Sequence, residues 1–90
     1  MPPRRRAQPR SPDHAALGGA VEALRREAGL TQEELASRIE RESPAVGSVE
    51  RGTANPTYSS LLGLAGGLGT ELSALIRRAE EIRGGREKGD

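Results

Sequence analysis

Apolar residues recur along this chain at helical spacing in five short blocks, and no stretch alternates in the way a half-buried strand requires. Leu17, Val21, Leu24 and Ala28 fall on one face of a first helix, His14 to Ala28, with Asp13 as a candidate N-cap. Gly29 stands where a left-handed residue closes a helix, and Leu30 is the apolar residue that folds back beneath it. Leu35, Ala36 and Ile39 give the apolar face of a second helix, Gln32 to Ile39. A third runs from about Pro44 to Arg51 with Val46 and Val49 inward and Gly52 as its stop. Leu61, Leu62, Leu64, Ala65 and Leu68 make a wide stripe on a fourth, Tyr58 to about Leu68. Leu72, Leu75, Ile76, Ala79 and Ile82 line a fifth, from about Glu71 to Ile82.

The boundaries carry their own signals. Thr31-Gln32-Glu33-Glu34 is a capping box, in which the Thr31 hydroxyl and the Glu34 carboxylate satisfy each other's backbone amides. Ser43 is a natural N-cap with Pro44 at the first helical position, where a missing N–H costs nothing. Thr57 caps the fourth helix. Gly63, Gly66 and Gly67 weaken that helix, so it must rely on packing. Gly47 inside the third helix costs about 1 kcal/mol relative to Ala, which marks either a close backbone approach there or neutral drift. The expected architecture is all-α, five short helices: a disordered basic arm over 1–12, a folded domain over 13–83 and a polar tail over 84–90.

Composition narrows the function. Ninety residues make one small domain, with 33% hydrophobic residues, no Phe, Trp or Cys, and Tyr58 as its single aromatic. The core is therefore a thin aliphatic one. Lack of Cys excludes a disulfide scaffold, and no apolar run approaches a membrane span of about 20 residues. A cytoplasmic location is expected. The formal charge of +1 is unevenly placed: Arg4, Arg5, Arg6 and Arg10 against Asp13 leave the first thirteen residues at +3 and the rest at −2. A polyanion would meet the arm first.

Catalysis finds little support. His14 is the only histidine and reads as surface or cap, with no companion at metal-ligand spacing. Glu33-Glu34 and Glu80-Glu81 are neighbours on helices and point apart, as solvated charges do. The glycines among the leucines follow no strand and build no phosphate loop. No metal, cofactor or enzymatic activity is expected.

Leu24-Arg25, the run Gly29 to Ala36, Val49-Glu50-Arg51-Gly52, Asn55-Pro56-Thr57, Leu61-Leu62 and Leu64-Ala65 occur in order, with Gln32 and Glu50 eighteen positions apart. From Leu17 to Ile76 the chain thereby resembles the lambda-repressor-like (Xre type) helix-turn-helix family. That resemblance implies a sequence-specific transcriptional regulator whose second helix lies across the phosphate backbone and whose third enters the major groove of double-stranded DNA. It assigns Gln32 to phosphate contact and bracing, Ser43, Pro44 and Ser48 to base edges, and Arg51 and Thr53 to the DNA backbone, with Arg41 at the turn between the helices. It also implies an ion pair between Arg25 and Glu50. Arg4, Arg5, Arg6 and Arg10 are candidate phosphate contacts from the arm.

The chain departs from the family at Glu40, where Gly is usual, and at Arg41, where an apolar residue is usual. The third helix, SPAVGSVER, offers Ser, Pro, Gly and Ser outward rather than the long donors that read bases bidentately. Poor discrimination by that helix alone follows. Ile76 and Ile82 on the fifth helix suggest a homodimer surface. The alternative is a protein-binding module on the same fold, an antitoxin-like or regulatory partner.

Overall fold

The computed structural model describes residues 8–39 and 43–88, leaving out the side chains of Ser43, Pro44 and residues 86–88. Five helices follow in order: α1 Pro12–Glu27, α2 Gln32–Arg38, α3 Ser43–Glu50, α4 Tyr58–Gly67 and α5 Leu72–Lys88. Among the described residues there is no strand. The long helices α1 and α5 pack along one another, α3 lies on α1 and α2, and α4 bridges α2 and α5.

Three boundaries differ from the sequence expectation. Ser43, expected as the N-cap of α3, is instead its first helical residue, so Pro44 stands second, still within the first turn where its missing N–H costs nothing. The N-cap of α1 is Ser11 rather than Asp13: its hydroxyl accepts the His14 amide at 3.1 Å and Pro12 occupies the first turn. Asp13 instead places its carboxylate in that turn, where the helix dipole favours it. At the other end α5 does not stop at Ile82 but runs through Gly84 and Gly85 to Lys88. Packing against α1 holds α5 as far as Arg83, whose Nε donates to Asp13 at 3.0 Å. Propagating a helix already nucleated costs only the weak propensity of the two glycines, about 1 kcal/mol each.

The capping box forms as its residues dictate, with Glu34 N donating to Thr31 Oγ1 at 3.0 Å and Thr31 N to Glu34 Oε1 at 2.8 Å. One helix stop is used three times. Leu30 N, Thr53 N and Thr70 N reach back to the carbonyls of Arg25, Ser48 and Ala65, with Gly29, Gly52 and Gly69 left-handed between. Gly52 is also hemmed in, since a Cβ there would stand 3.1 Å from the Ala15 backbone and 3.0 Å from Pro9 Cβ.

Leu35, Leu75, Val21 and Val46 are the largest fully buried side chains, joined by Ala20, Ala36, Val49, Leu64 and Leu68. Three residues of the expected stripes lie outside this core. Ala28 is exposed because α1 has already ended. Leu62 is 45% exposed because the inward stripe of α4 is Leu61, Leu64, Ala65 and Leu68, which Leu62 faces away from. Ile76 is 36% exposed on α5. Ile82, by contrast, packs on α1, its Cδ1 3.5 Å from the position a Cβ on Gly19 would take.

Small residues set the helix spacing. A Cβ on Gly18 would drive into the backbone carbonyls of Val49 and Glu50, so α1 and the end of α3 meet backbone to backbone. Gly67 lets the α4 backbone rest on side chains of α2 and its cap, since a Cβ there would stand 2.6 Å from Ile39 Cγ2 and 3.0 Å from Leu35 Cδ1. These contacts fix where α3 stands.

Candidate nucleic-acid interface

The centre of the arrangement is a buried carboxylate. Glu50, the last residue of α3, receives Arg25 Nε at 2.6 Å and Arg25 Nη2 at 3.1 Å on its two oxygens. Gln32 Nε2, from the first residue of α2, donates to Oε1 at 2.9 Å. Arg25 Nη1 continues to the Leu30 carbonyl at 2.9 Å. One carboxylate therefore ties α1, the α1–α2 turn, the start of α2 and the end of α3. The Arg25 and Glu50 side chains are 10% and 5% exposed. Hydrogen bonding to Glu50 raises Arg25 above its ordinary value against the opposing pull of desolvation, so the guanidinium keeps its charge. A bidentate fork in so dry a place fixes orientation as well as charge.

The two ends of α3 differ in what is described. Arg41 and the side chains of Ser43 and Pro44 lie outside the described residues, as do Glu40 and Glu42. Beyond them, Val46 and Val49 face the core, Ala45 and Arg51 are exposed, and Gly47 is buried beneath the Arg51 side chain beside Gln32. Ser48 is half-buried. Thr53 is half-buried as well, its hydroxyl donating to the Ser48 carbonyl at 3.2 Å, so it finishes the helix stop. Arg51 is exposed, and its Nη2 donates to Ser48 Oγ at 3.4 Å.

The arm joins the fold at the exit of α3. Arg10 N donates to the Gly52 carbonyl at 2.9 Å, Arg10 Nη1 to the Thr53 carbonyl at 3.4 Å, and Pro9 lies on Gly52. Arg4, Arg5 and Arg6 lie outside the described residues. Sequence reasoning did not find this docking, nor the clamp beside it. His14 is half-buried: Nε2 donates to Asn55 Oδ1 at 3.0 Å, and Nδ1 is 2.7 Å from Ser11 Oγ. His14 thus joins the start of α1 to the loop before α4 instead of being plain surface. No local pattern announces a partner 41 residues away. Gly18 escaped notice for the same reason.

Among the described residues no group of His, Cys, Asp or Glu could hold a metal ion. No single helix is long and apolar enough to cross a membrane. Beside α3, an apolar cavity of about 250 Å³ opens between Val46, Val49, Ala54, Pro56 and Leu64.

Two short helices locked across one buried carboxylate, with the second turned outward, define a helix-turn-helix protein. Residues 16–79 match the family described as Helix-turn-helix domain, and the chain belongs to it. It is 40% identical over 65 residues to an uncharacterized HTH-type transcriptional regulator of Sinorhizobium fredii, covering 72% of this chain and 84% of that protein. It is 35% identical over 60 residues to the immunity repressor protein of Bacillus phage phi105, covering 67% of this chain but only 42% of the repressor. Among solved structures, the restriction-modification controller protein C.AhdI of Aeromonas hydrophila superposes with a TM-score of 0.71 at 35% identity. That match covers 72% of this chain and 98% of the controller.

Proposed function

We propose that this chain is a DNA-binding transcriptional regulator that grips operator DNA through α2 and α3. The observation that carries this reading is the Arg25–Glu50–Gln32 network, which holds the two helices as one rigid unit with half-buried Ser48 and exposed Arg51 beside it. A reading head of this kind needs fixed geometry before contact, because ordering it on binding would consume affinity. The names of the phage repressor and the Sinorhizobium regulator support the same reading. Gln32, Ser43, Pro44, Ser48, Arg51 and Thr53 form the contact set, with Arg41 at the turn. Arg10, docked at the exit of α3, and Arg4, Arg5 and Arg6 of the arm add phosphate contacts to this set.

Binding as a homodimer places two half-sites about one helical turn apart. Ile76 is the apolar residue that α5 leaves exposed for such a contact, whereas Ile82 is engaged with α1. The alternative, a protein-binding module, draws on the apolar cavity beside α3 and on exposed Tyr58. Selection from random duplexes at fixed salt tests the first reading, which expects an enriched two-fold sequence. No enrichment at any salt concentration would favour the protein-binding module. Deleting residues 1–7 should weaken binding to the selected duplex and flatten its salt dependence, and an unchanged slope would remove the arm.

A further inference from the structure

We propose that Arg51 is the base-reading residue of this chain, its guanidinium laid across Gly47 to supply the long donor that the outward face of α3 lacks. The inference rests on the DNA-binding reading above and goes beyond it by moving Arg51 from the DNA backbone to the base edges. Exposed Ala45 and half-buried Ser48 on α3 carry no side chain that reaches a base bidentately. Arg51 lies one turn further on, its N–H donating to the Gly47 carbonyl at 2.9 Å, so the helical path continues to it. Side chains on such a path lean toward the N-terminus and cover the residue four positions earlier. Here that residue has no side chain. A Cβ on Gly47 would stand 3.0 Å from Arg51 Nη1 and 3.8 Å from Cζ, and 3.6 Å from Gln32 Oε1. The exposed Arg51 guanidinium therefore covers Gly47, which lies buried beneath it, and Nη2 reaches Ser48 Oγ at 3.4 Å.

The neighbouring charge does not compete for it. Glu50 is already taken by Arg25 and Gln32, with 2.6 Å and 2.9 Å contacts, so the acid beside Arg51 is neutralised inside the fold. An arginine fork presented from a helix in the major groove matches the O6 and N7 acceptors of guanine. Gly47 then has a reason to be glycine in mid-helix, since any larger residue would lift the fork away from the surface.

The test is the same selection from random duplexes, run with the full chain and with Arg51→Ala, Arg51→Lys and Gly47→Ala, each checked for helical content and melting. The expected result is a guanine preference at one position in each half-site. Arg51→Ala relaxes it by about 5- to 150-fold with the remaining positions unchanged. Arg51→Lys, which keeps the charge and loses the fork, relaxes the same position. Gly47→Ala weakens the same preference while the protein melts no lower than the parent. Uniform loss of affinity across all sequences, with the logarithmic salt slope reduced by about one, makes Arg51 a phosphate contact and overturns the inference while leaving the regulator reading intact. A parent chain that enriches no sequence removes both.

Discussion

Single residues here do two distinct jobs, and mutation separates them. Arg25 and Glu50 satisfy each other in a dry site, so removing one strands the other. Arg25→Ala should cost about 3–5 kcal/mol in chemical denaturation, most of the stability a domain of this size possesses. A loss below about 1 kcal/mol would mean that the pair behaves as a surface contact. Glycines divide the same way. Gly18→Ala forces a Cβ into the α3 backbone and should destabilise by about 1–3 kcal/mol, since neither helix can yield locally. Gly66→Ala meets nothing within 4 Å in a solvent-facing turn of α4 and should stabilise by about 0.5–1 kcal/mol. Equal effects of the two substitutions would contradict the spacing described above.

Elements are held partly by charge. Arg78 on α5 donates to Glu27 at the end of α1 through two hydrogen bonds, 2.8 Å and 3.2 Å, and Arg83 reaches Asp13 at the other end of α1. The hydrogen bonds from Arg78 hold the Glu27 carboxyl below its ordinary value of 4.5. A carboxyl lowered in the folded state binds its proton more readily when unfolded. Its contribution is therefore complete above 4.5 and is lost as the pH falls through the lower folded value. Thermal melts of the parent and Glu27→Gln should differ at neutral pH, converge well below pH 4.5, and differ less at high salt, because the pair is exposed. A gap that persists in acid would assign the effect to packing. His14 links elements differently, joining the start of α1 to Asn55. His14→Ala should loosen the loop before α4, read as faster amide exchange at Ala54 and Asn55 with the core protection kept.

On the scale of the whole molecule, a thin aliphatic core makes association valuable. Among the described residues the large exposed apolar side chains are Tyr58, Leu62 and Ile76, and of these Ile76 is on α5, the helix proposed for the dimer contact. Ile76→Glu should shift sedimentation toward the monomer and weaken operator binding by at least 10-fold with the isolated fold unchanged, since half-site binding loses its partner. A dimer that survives this charge would move the contact off the exposed side of α5.

Local signals were strong enough to place all five helices. The Thr31 capping box, the Thr57 cap and the glycine stops act through atoms three to five residues apart, and such contacts are written in the order of residues. The Gln32 to Glu50 spacing carried the family resemblance, and through it the helix-turn-helix class was legible. The ends of α1 and α5 were not, because Ser11 outcompeted Asp13 as cap and α1 supports α5 past Ile82. Nor was the split of the apolar stripes into buried Leu75 and exposed Leu62 and Ile76, which depends on which neighbour each face meets. Only the tertiary structure could bring Gly18 against Val49, His14 against Asn55 and Arg10 against Gly52. Residues tens of positions apart leave no periodic trace of their meeting. The same holds for Arg51: its place in the sequence suggested the DNA backbone, and its place over Gly47 points to the bases.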